Sequence, residues 1–307
     1  MSKAYVRSCA KAIESVMSIK PACLAVLAAS LLLNGCGGSA SRAAGPLRVL
    51  ATTTTLASLA RGVMGPSATV RSLVPIGTSP EDYQPLPGDI AALRDADVLI
   101  ENGAGLEGWL DATIRNAGNP KLVIVVCSDG LPKIADNPHL WMDPENARVY
   151  VRKIAAAAEA ADAPNAATYA ANAKAYDARL AALTARTRAR LAAIPPARRV
   201  LITFHNAFEY YAREFGLRIV GEVEPQAGAE PNPAHVAGLV GLARAGHVPA
   251  IFAEHEYSDK IALTVAAAAG GLKVAFLYDD SLGADPSVAT YEGMIDTDTL
   301  TIVQALK

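Results

Sequence analysis

Apolar and polar positions along this chain fall into two alternating periods. Short apolar runs rich in branched residues occur at Arg48-Val49-Leu50-Ala51-Thr52-Thr53, Ala68 to Pro75, Asp97-Val98-Leu99-Ile100 and Leu122-Val123-Ile124-Val125-Val126-Cys127. Their length and composition predict strands, the last of them buried. Segments of helical spacing lie between them, over Thr54 to Val63, Pro87 to Ala96 and Leu106 to Asn116. The alternation resumes later in the chain. Strands are predicted at Arg199 to Thr203, Leu217 to Val223, Pro249 to Ala253 and Leu272 to Leu277. Helices are predicted at Ala207 to Phe215, Pro233 to Ala245, Asp259 to Ala269 and Thr290 to Leu306. Strands and helices in this order make mostly parallel sheets covered on both faces.

The stretch from Pro164 to Ile194 separates the two series. It is dense in Ala, carries Leu180, Leu183 and Leu191 along one side, and ends before Pro195-Pro196. Pro164 suits a first helical turn and the later prolines stop the helix. A helix of about 30 residues spans roughly 45 Å, longer than a small domain needs. Taken alone, it would also suit one arm of a helical hairpin or coiled coil. Its flanks favour a strut. The predicted fold is therefore α/β, with two similar lobes of mostly parallel sheets over residues 48–163 and 195–307. One long rigid helix over 164–194 joins them. A faint echo between Gln84-Pro85-Leu86-Pro87-Gly88-Asp89 and Glu230-Pro231-Asn232-Pro233-Ala234-His235 agrees with lobes of like construction. Ligands of such sheets bind beyond the carboxyl ends of the strands, here in the cleft between the lobes.

Composition changes this picture mainly at the amino terminus. The 307 residues are 51% apolar and 19% charged, ample for one or two cored domains. A formal charge of -2 and the lack of a basic block argue against a nucleic-acid partner. Lys20 precedes a 13-residue apolar run ending at Leu33, followed by Asn34-Gly35-Cys36. That run is short for a membrane span and suits an export signal over residues 1–35, for which Met17 gives a more compact start. Leu33-Asn34-Gly35-Cys36 resembles a lipobox, in which Cys36 receives lipid and anchors the protein to a membrane surface. The alternative to lipidation is plain secretion, with Cys36 just a small residue near the cleavage point. Cleavage there removes four bases and one acid and moves the formal charge from -2 to -5. Residues 36–47 then read as a flexible tether. Cys127, in an apolar run, is expected to be a buried packing residue.

The candidate chemistry sits in loops after strands. His139 lies in Asn137-Pro138-His139-Leu140-Trp141-Met142-Asp143-Pro144, and His205 in Thr203-Phe204-His205-Asn206. Carboxylates occupy two further loops, Pro80-Glu81-Asp82-Tyr83 and Tyr278-Asp279-Asp280-Ser281. Imidazole suits zinc and other transition ions, and carboxylate shifts the balance toward harder ions such as manganese. No HExxH, CxxC or His-x-His accompanies them, and a lone histidine is as readily a helix cap or a hydrogen-bonded core residue.

Longer segments carry a resemblance. SLVPIGTSPEDYQPLPGDI, DVLIENGAGLEGWL, PHLWMDPENA, ITFHNAFEYYAREFGL, GAEPNPAHVAGLV, the SDK of AEHEYSDK, and LYDDSLG occur in this order between residues 48 and 307. With them the chain resembles the cluster-9 (class A-I) metal-binding lipoproteins, extracytoplasmic receptors of zinc and manganese ABC importers. The resemblance implies two lobes on one long helix, a single Zn²⁺ or Mn²⁺ ion between them, and an ABC permease as partner. It implies a monomer that is not an enzyme. By position it makes His139, His205 and Asp280 ligands. Glu81 falls where the family typically has histidine in Pro-His-Glu-Tyr; it can still donate oxygen, with Asp82 or a water as its substitute. Asp279 stands where the family commonly has Thr. Two imidazoles and two carboxylates suit manganese, and the short, histidine-free stretch from Ser128 to Pro138 lacks the His-rich loop of many zinc receptors. The affinity order still favours zinc, so zinc, manganese and iron all stay open. Asp143, Asn206 and Glu230 are candidates to orient the imidazoles, and His255 is an alternate ligand. A metal-dependent hydrolase of the extracytoplasmic space is the rival reading, with Asp82 or Glu256 as the available base.

Overall fold

Strand β1 (Leu47–Ala51) sets the pattern that the chain repeats. Val49 and Ala51 turn to one face of the sheet and Leu50 to the other, the period of two that a pleated strand imposes. Helix α1 (Thr54–Met64) follows at once. Thr53 caps it by accepting the Leu56 N–H, and Gly65 ends it at φ +56°, a conformation that favours glycine. Then come β2 (Ala68–Ser72), α2 (Pro87–Asp95), β3 (Val98–Glu101), α3 (Leu110–Ala117) and β4 (Val123–Val126). These four strands form one parallel sheet in the order β2-β1-β3-β4. The computed structural model describes residues 45–224 and 232–307. Cys36, the signal over 1–35, most of the tether and Glu230 therefore lie outside the described residues.

The second half repeats the layout with β5 (Val200–Thr203), α6 (Glu209–Phe215), β6 (Arg218–Glu222), α7 (Pro233–Ala245), β7 (Ala250–Glu254), α8 (Lys260–Ala268), β8 (Lys273–Leu277) and α9 (Tyr291–Leu306). Its sheet is again parallel, in the order β6-β5-β7-β8. Both halves thus run second, first, third, fourth. Each has its change of direction between the first and third strands of its sheet, where α/β sheets open a crevice.

Two helices connect the halves. One is α4 (Pro144–Ala161), which the sequence reading did not anticipate. Asp143 caps it and Pro144 occupies its first turn. The other is α5 (Ala166–Leu191), the expected long helix; its 26 residues start two positions after Pro164, which lies in a short 3-10 turn. At 1.5 Å per residue α5 is about 39 Å long. It is no bare strut. Tyr169, Ala173, Tyr176, Leu180, Leu183 and Leu191 are buried along one side in a core shared with α1, α4, α9 and the inward faces of both sheets. Arg148 of α4 grips Asp177 of α5 through two hydrogen bonds of 3.0 and 2.8 Å. Asn172 of α5 donates to the Val63 carbonyl at 2.9 Å, and Arg186 pairs with Asp296 of α9 at 2.7 Å. From Pro46 to Lys307 the chain is one compact unit.

The outer face of the first sheet packs on α2 and α3, and that of the second on α7 and α8. One expectation fails at β4. As an edge strand it leaves Val123 and Ile124 about two-fifths exposed, at 42% and 44%, where a buried strand was expected. Cys127, just beyond it, is fully buried and free, and burial pushes its thiol pKa up, in line with a packing role.

Candidate metal centre

Four loops, each following a strand, meet where the two sheets present their carboxyl ends. The first follows β2 and carries Glu81. It is pinned from outside, since the Trp109 indole N–H donates to the Pro80 carbonyl at 2.8 Å and Tyr83 packs edge-on against Trp109. Ser79 ties it to the opposite half: its hydroxyl accepts the Glu81 N–H and donates to Asp280 Oδ2 at 3.2 Å.

The loop after β4 carries His139. Its placement begins with a buried carboxylate, Glu107, which accepts the Thr52 hydroxyl at 2.6 Å and the N–H groups of Asn102 and Gly103 at 2.7 and 3.0 Å. Asn102, so held, donates to the Pro138 carbonyl at 2.8 Å and accepts the Tyr150 hydroxyl at 2.6 Å. Asn137 then orients the histidine. Its side-chain oxygen lies 2.9 Å from both the His139 N–H and the ring Nδ1. Its amide donates to the Asn206 carbonyl and to Glu209 at 2.6 and 2.8 Å, which fixes which end is oxygen. In the neutral ring His139 Nδ1 is thereby the nitrogen that carries the proton, which leaves the Nε2 lone pair facing the cleft.

His205 follows β5 directly, and Glu254 is the last residue of β7, the strand beside it. This is the crevice position of the second sheet. Glu254 Oε2 lies 2.5 Å from His205 Nδ1, and both side chains are buried. Burial alone would depress the His205 pKa. The Glu254 charge and hydrogen bond overcome it, with help from Asp280 and Glu81, and bring it up to about 9.

The loop after β8 brings Asp279 and Asp280, both fully buried. The Tyr278 N–H is held by Asp298 at 3.0 Å, and the Asp279 carbonyl accepts the Trp141 indole N–H at 3.0 Å. Burial acts to raise the Asp280 pKa. Proximity to the His139 ring, with His205 and the Ser79 hydroxyl, outweighs burial and holds it below the usual carboxylate range. Glu81 is shifted the other way, raised by burial more than His139 lowers it.

The donor atoms converge. The Nε2 atoms of His139 and His205 are 3.1 Å apart. His139 Nε2 lies 3.5 Å from Glu81 Oε1 and 3.4 Å from Asp280 Oδ1, and His205 Nε2 lies 3.6 Å from Asp279 Oδ2. Two nitrogens bonded to one ion at 2.0–2.1 Å and set tetrahedrally are about 3.3 Å apart. The spacing is that of donors around a single small cation. Asp280 Oδ1 has no hydrogen-bond partner among the described residues and lies inside this group. Glu81, His139 and His205 form one cluster of ligand atoms within 4.8 Å, and His205, Asp279 and Asp280 form another.

Other candidates fall elsewhere. Asp82 is exposed beside Glu81. Asp143 caps α4 by accepting the Glu145 N–H and lies 3.7 Å from Arg213, so it does not hold an imidazole. Asn206 contributes its backbone carbonyl to Asn137, one step from His139. His255 is exposed and stacks on Tyr278 at 4.0 Å between ring centroids, outside both clusters. The residues that orient the imidazoles are Asn137 and Glu254, neither of which the sequence reading picked out. Glu254 had a visible signal: an acid ending the wholly apolar run Ala250-Ile251-Phe252-Ala253 must be buried and therefore needs a partner.

Two parallel sheets in like order, helices α4 and α5 between them, and histidine and carboxylate groups from both halves that could hold a metal ion, together with the relatives below, define the class: extracytoplasmic metal-binding receptors of ABC importers. The chain belongs to the ZnuA family, described as zinc-uptake complex component A, periplasmic, which matches residues 49–305. It is 34% identical over 84% of its length to the iron-binding protein YfeA of Yersinia pestis, covering 85% of that protein. It is 30% identical to the manganese-binding lipoprotein MntA of Halalkalibacterium halodurans, with 92% and 96% of the two chains covered. A manganese-bound periplasmic metal-binding protein from Candidatus Liberibacter asiaticus superposes with a TM-score of 0.77 at 26% identity, over 85% of this chain and all of that one. The periplasmic zinc-binding protein TroA from Treponema pallidum superposes with a TM-score of 0.80 over 85% of this chain and 99% of that one; at 24% identity it speaks for the fold alone.

Proposed function

We propose that this protein captures one divalent transition-metal ion outside the cytoplasmic membrane and delivers it to an ABC import permease, with Glu81, His139, His205 and Asp280 as ligands. The observation that carries this is the convergence of the two Nε2 atoms to 3.1 Å, with carboxylate oxygens of both halves 3.4–3.6 Å from them. Imidazoles whose Nδ1 atoms are held by Asn137 and Glu254 present their other nitrogen as a ligand, the usual arrangement at metal sites. Relatives whose names specify iron, manganese and zinc bracket the cargo.

Lipidation at Cys36 would hold the protein, which we take to act as a monomer, at the membrane surface. Among the described residues no helix is long and apolar enough to cross a membrane. The hydrolase reading finds no support. The relatives are named as binding proteins, and a catalytic site needs a coordination position left for substrate with a base beside it.

The test is metal analysis of the full chain after mild purification, alongside a His139→Ala/His205→Ala double variant. One zinc, manganese or iron per chain is expected, and none in the double variant. Equal binding by the double variant would overturn the reading.

A further inference from the structure

Asp279 is a carboxylate at the cleft that the four-donor set leaves without a task. Its side chain is fully buried, neither of its oxygens accepts an N–H or hydroxyl hydrogen bond among the described residues, and its close neighbour Glu256 is a carboxylate too. A carboxylate taken from water with nothing to compensate it is among the costliest groups a fold can hold; it is kept either protonated or offset by a cation or a tight pair, and a cation bound in the cleft would displace the proton. No Lys or Arg is paired with it among the described residues. Nor is its direction accidental. The backbone on both sides is fixed, by Asp298 on the Tyr278 N–H and by Trp141 on the Asp279 carbonyl. So fixed, Oδ2 lies 3.6 Å from His205 Nε2, the same nitrogen that faces His139 Nε2 at 3.1 Å. With His205 and Asp280 it forms a complete three-donor cluster sharing a nitrogen with the cluster of Glu81, His139 and His205. The nearby Glu254 carboxylate is already engaged by His205, which leaves Asp279 to face the cleft.

We propose that Asp279 is a fifth protein donor to the ion, so that the cleft offers two imidazoles and three carboxylates and selects a divalent ion of high coordination number, manganese or ferrous iron, over what its histidines alone would favour. The inference rests on the reading of the cleft as a metal site. Its chemistry follows from the donor count. Zinc is satisfied by four donors and gains little from a fifth, whereas manganese fills six positions and prefers oxygen. Three carboxylates also place a formal charge of -3 around a dication. That further favours hard, oxygen-seeking ions over soft ones.

The experiment compares the wild-type chain with Asp279→Asn and Asp279→Ala, titrated with Mn²⁺ and with Zn²⁺ by chelator competition. It is paired with a crystal structure of the manganese-loaded wild type. Even residues that only orient a ligand are worth 10–100-fold in affinity, so loss of a donor should weaken manganese by at least about tenfold in Asp279→Asn. Zinc should weaken by less than about threefold, because its four donors remain. In the manganese-loaded crystal an Asp279 oxygen should lie within bonding distance of the ion. An unchanged manganese-to-zinc ratio in Asp279→Asn, or an Asp279 carboxylate beyond bonding distance, would overturn the assignment while leaving the four-donor site standing. Failure of the wild type to bind either ion would instead overturn the metal reading, and this inference with it. Asn has the shape of Asp, and a matching thermal melt without added metal shows that the variant folds; should Asp279→Ala not fold, Asp279→Asn decides.

Discussion

The ring Nδ1 of His205 lies 2.5 Å from Oε2 of Glu254, and the two side chains are almost wholly removed from solvent. The contact joins the first and third strands of the second sheet at the point where the chain reverses direction. It fixes the tautomer of the imidazole and raises its basicity as a ligand. Glu254→Gln should therefore lower metal affinity by about 10–100-fold with the fold intact. Isothermal titration of the variant checks this, and an unchanged dissociation constant would remove Glu254 from the site.

The same pair makes binding depend on pH. With a pKa of about 9, the His205 ring is protonated at neutral pH, and that proton must leave before Nε2 can accept a cation. Affinity should thus fall as pH drops below about 9 and level off above it, with about one proton released from this ring at pH 7. Asp280, held below the usual range, is already ionised there and adds no proton of its own, whereas Asp279, raised by burial and by the charges of Glu254, Asp280 and Glu256, would add one on binding the ion. Calorimetry in two buffers of different ionisation enthalpy measures the number released; zero would contradict the His205 assignment.

Glu81 is the proposed donor that stands where the family typically has histidine. Glu81→Ala should weaken binding of any divalent ion by at least about tenfold. Glu81→His should raise affinity for zinc relative to manganese, since a third imidazole softens the donor set. Competition titrations of the two variants give both answers. Affinity that is unmoved in Glu81→Ala would transfer the role to Asp82 or to water.

Helix α5 should be stability-critical through a single close approach. Gly62 of α1 faces Tyr176, and a Cβ at that position would fall 2.2 Å from the ring. In an open helix Gly→Ala gains about 0.5–1 kcal/mol. Here overpacking, typically about 1–3 kcal/mol, outweighs the gain, so Gly62→Ala should lower the melting temperature. A rise would mean that α1 and α5 are not held as tightly as the geometry indicates.

The lobes should stay nearly fixed when the ion binds. Gly77 donates to Ser281 at 2.9 Å, Trp141 to Asp279 at 3.0 Å, and Leu282 to Thr54 at 2.8 Å, all of them from one half to the other. Small-angle scattering with and without metal should give superimposable curves. A clear fall in radius of gyration on loading would show hinge closure instead.

The strands, their parallel arrangement and the long helix were legible in the sequence because they rest on local periodicity and on Pro and Gly at the boundaries. Less was visible where long-range packing decides. Val123-Ile124-Val125-Val126 reads as an interior strand, yet its position at the sheet edge depends on the strand order, which periodicity does not encode. Helix α4 announces itself in Asp143-Pro144-Glu145, an N-cap followed by proline, but those residues read first as part of a ligand segment. In the site, the loops bearing His139, His205, Glu81 and Asp280 were found, largely through a family resemblance. Asn137 and Glu254 were not, because their value lies in a ring nitrogen 2.5–2.9 Å away that only the folded chain supplies.

Solvent reaches the donors unequally. Glu81 is 26% exposed, while His139, His205 and Asp280 are sealed beneath it. If these four hold the ion, exchange would be one-sided: an incoming chelator, or an acceptor group on a permease, would meet the carboxylate at the rim before either imidazole. The order in which bonds broke would then follow depth, with the Glu81 carboxylate at the rim the first to be displaced.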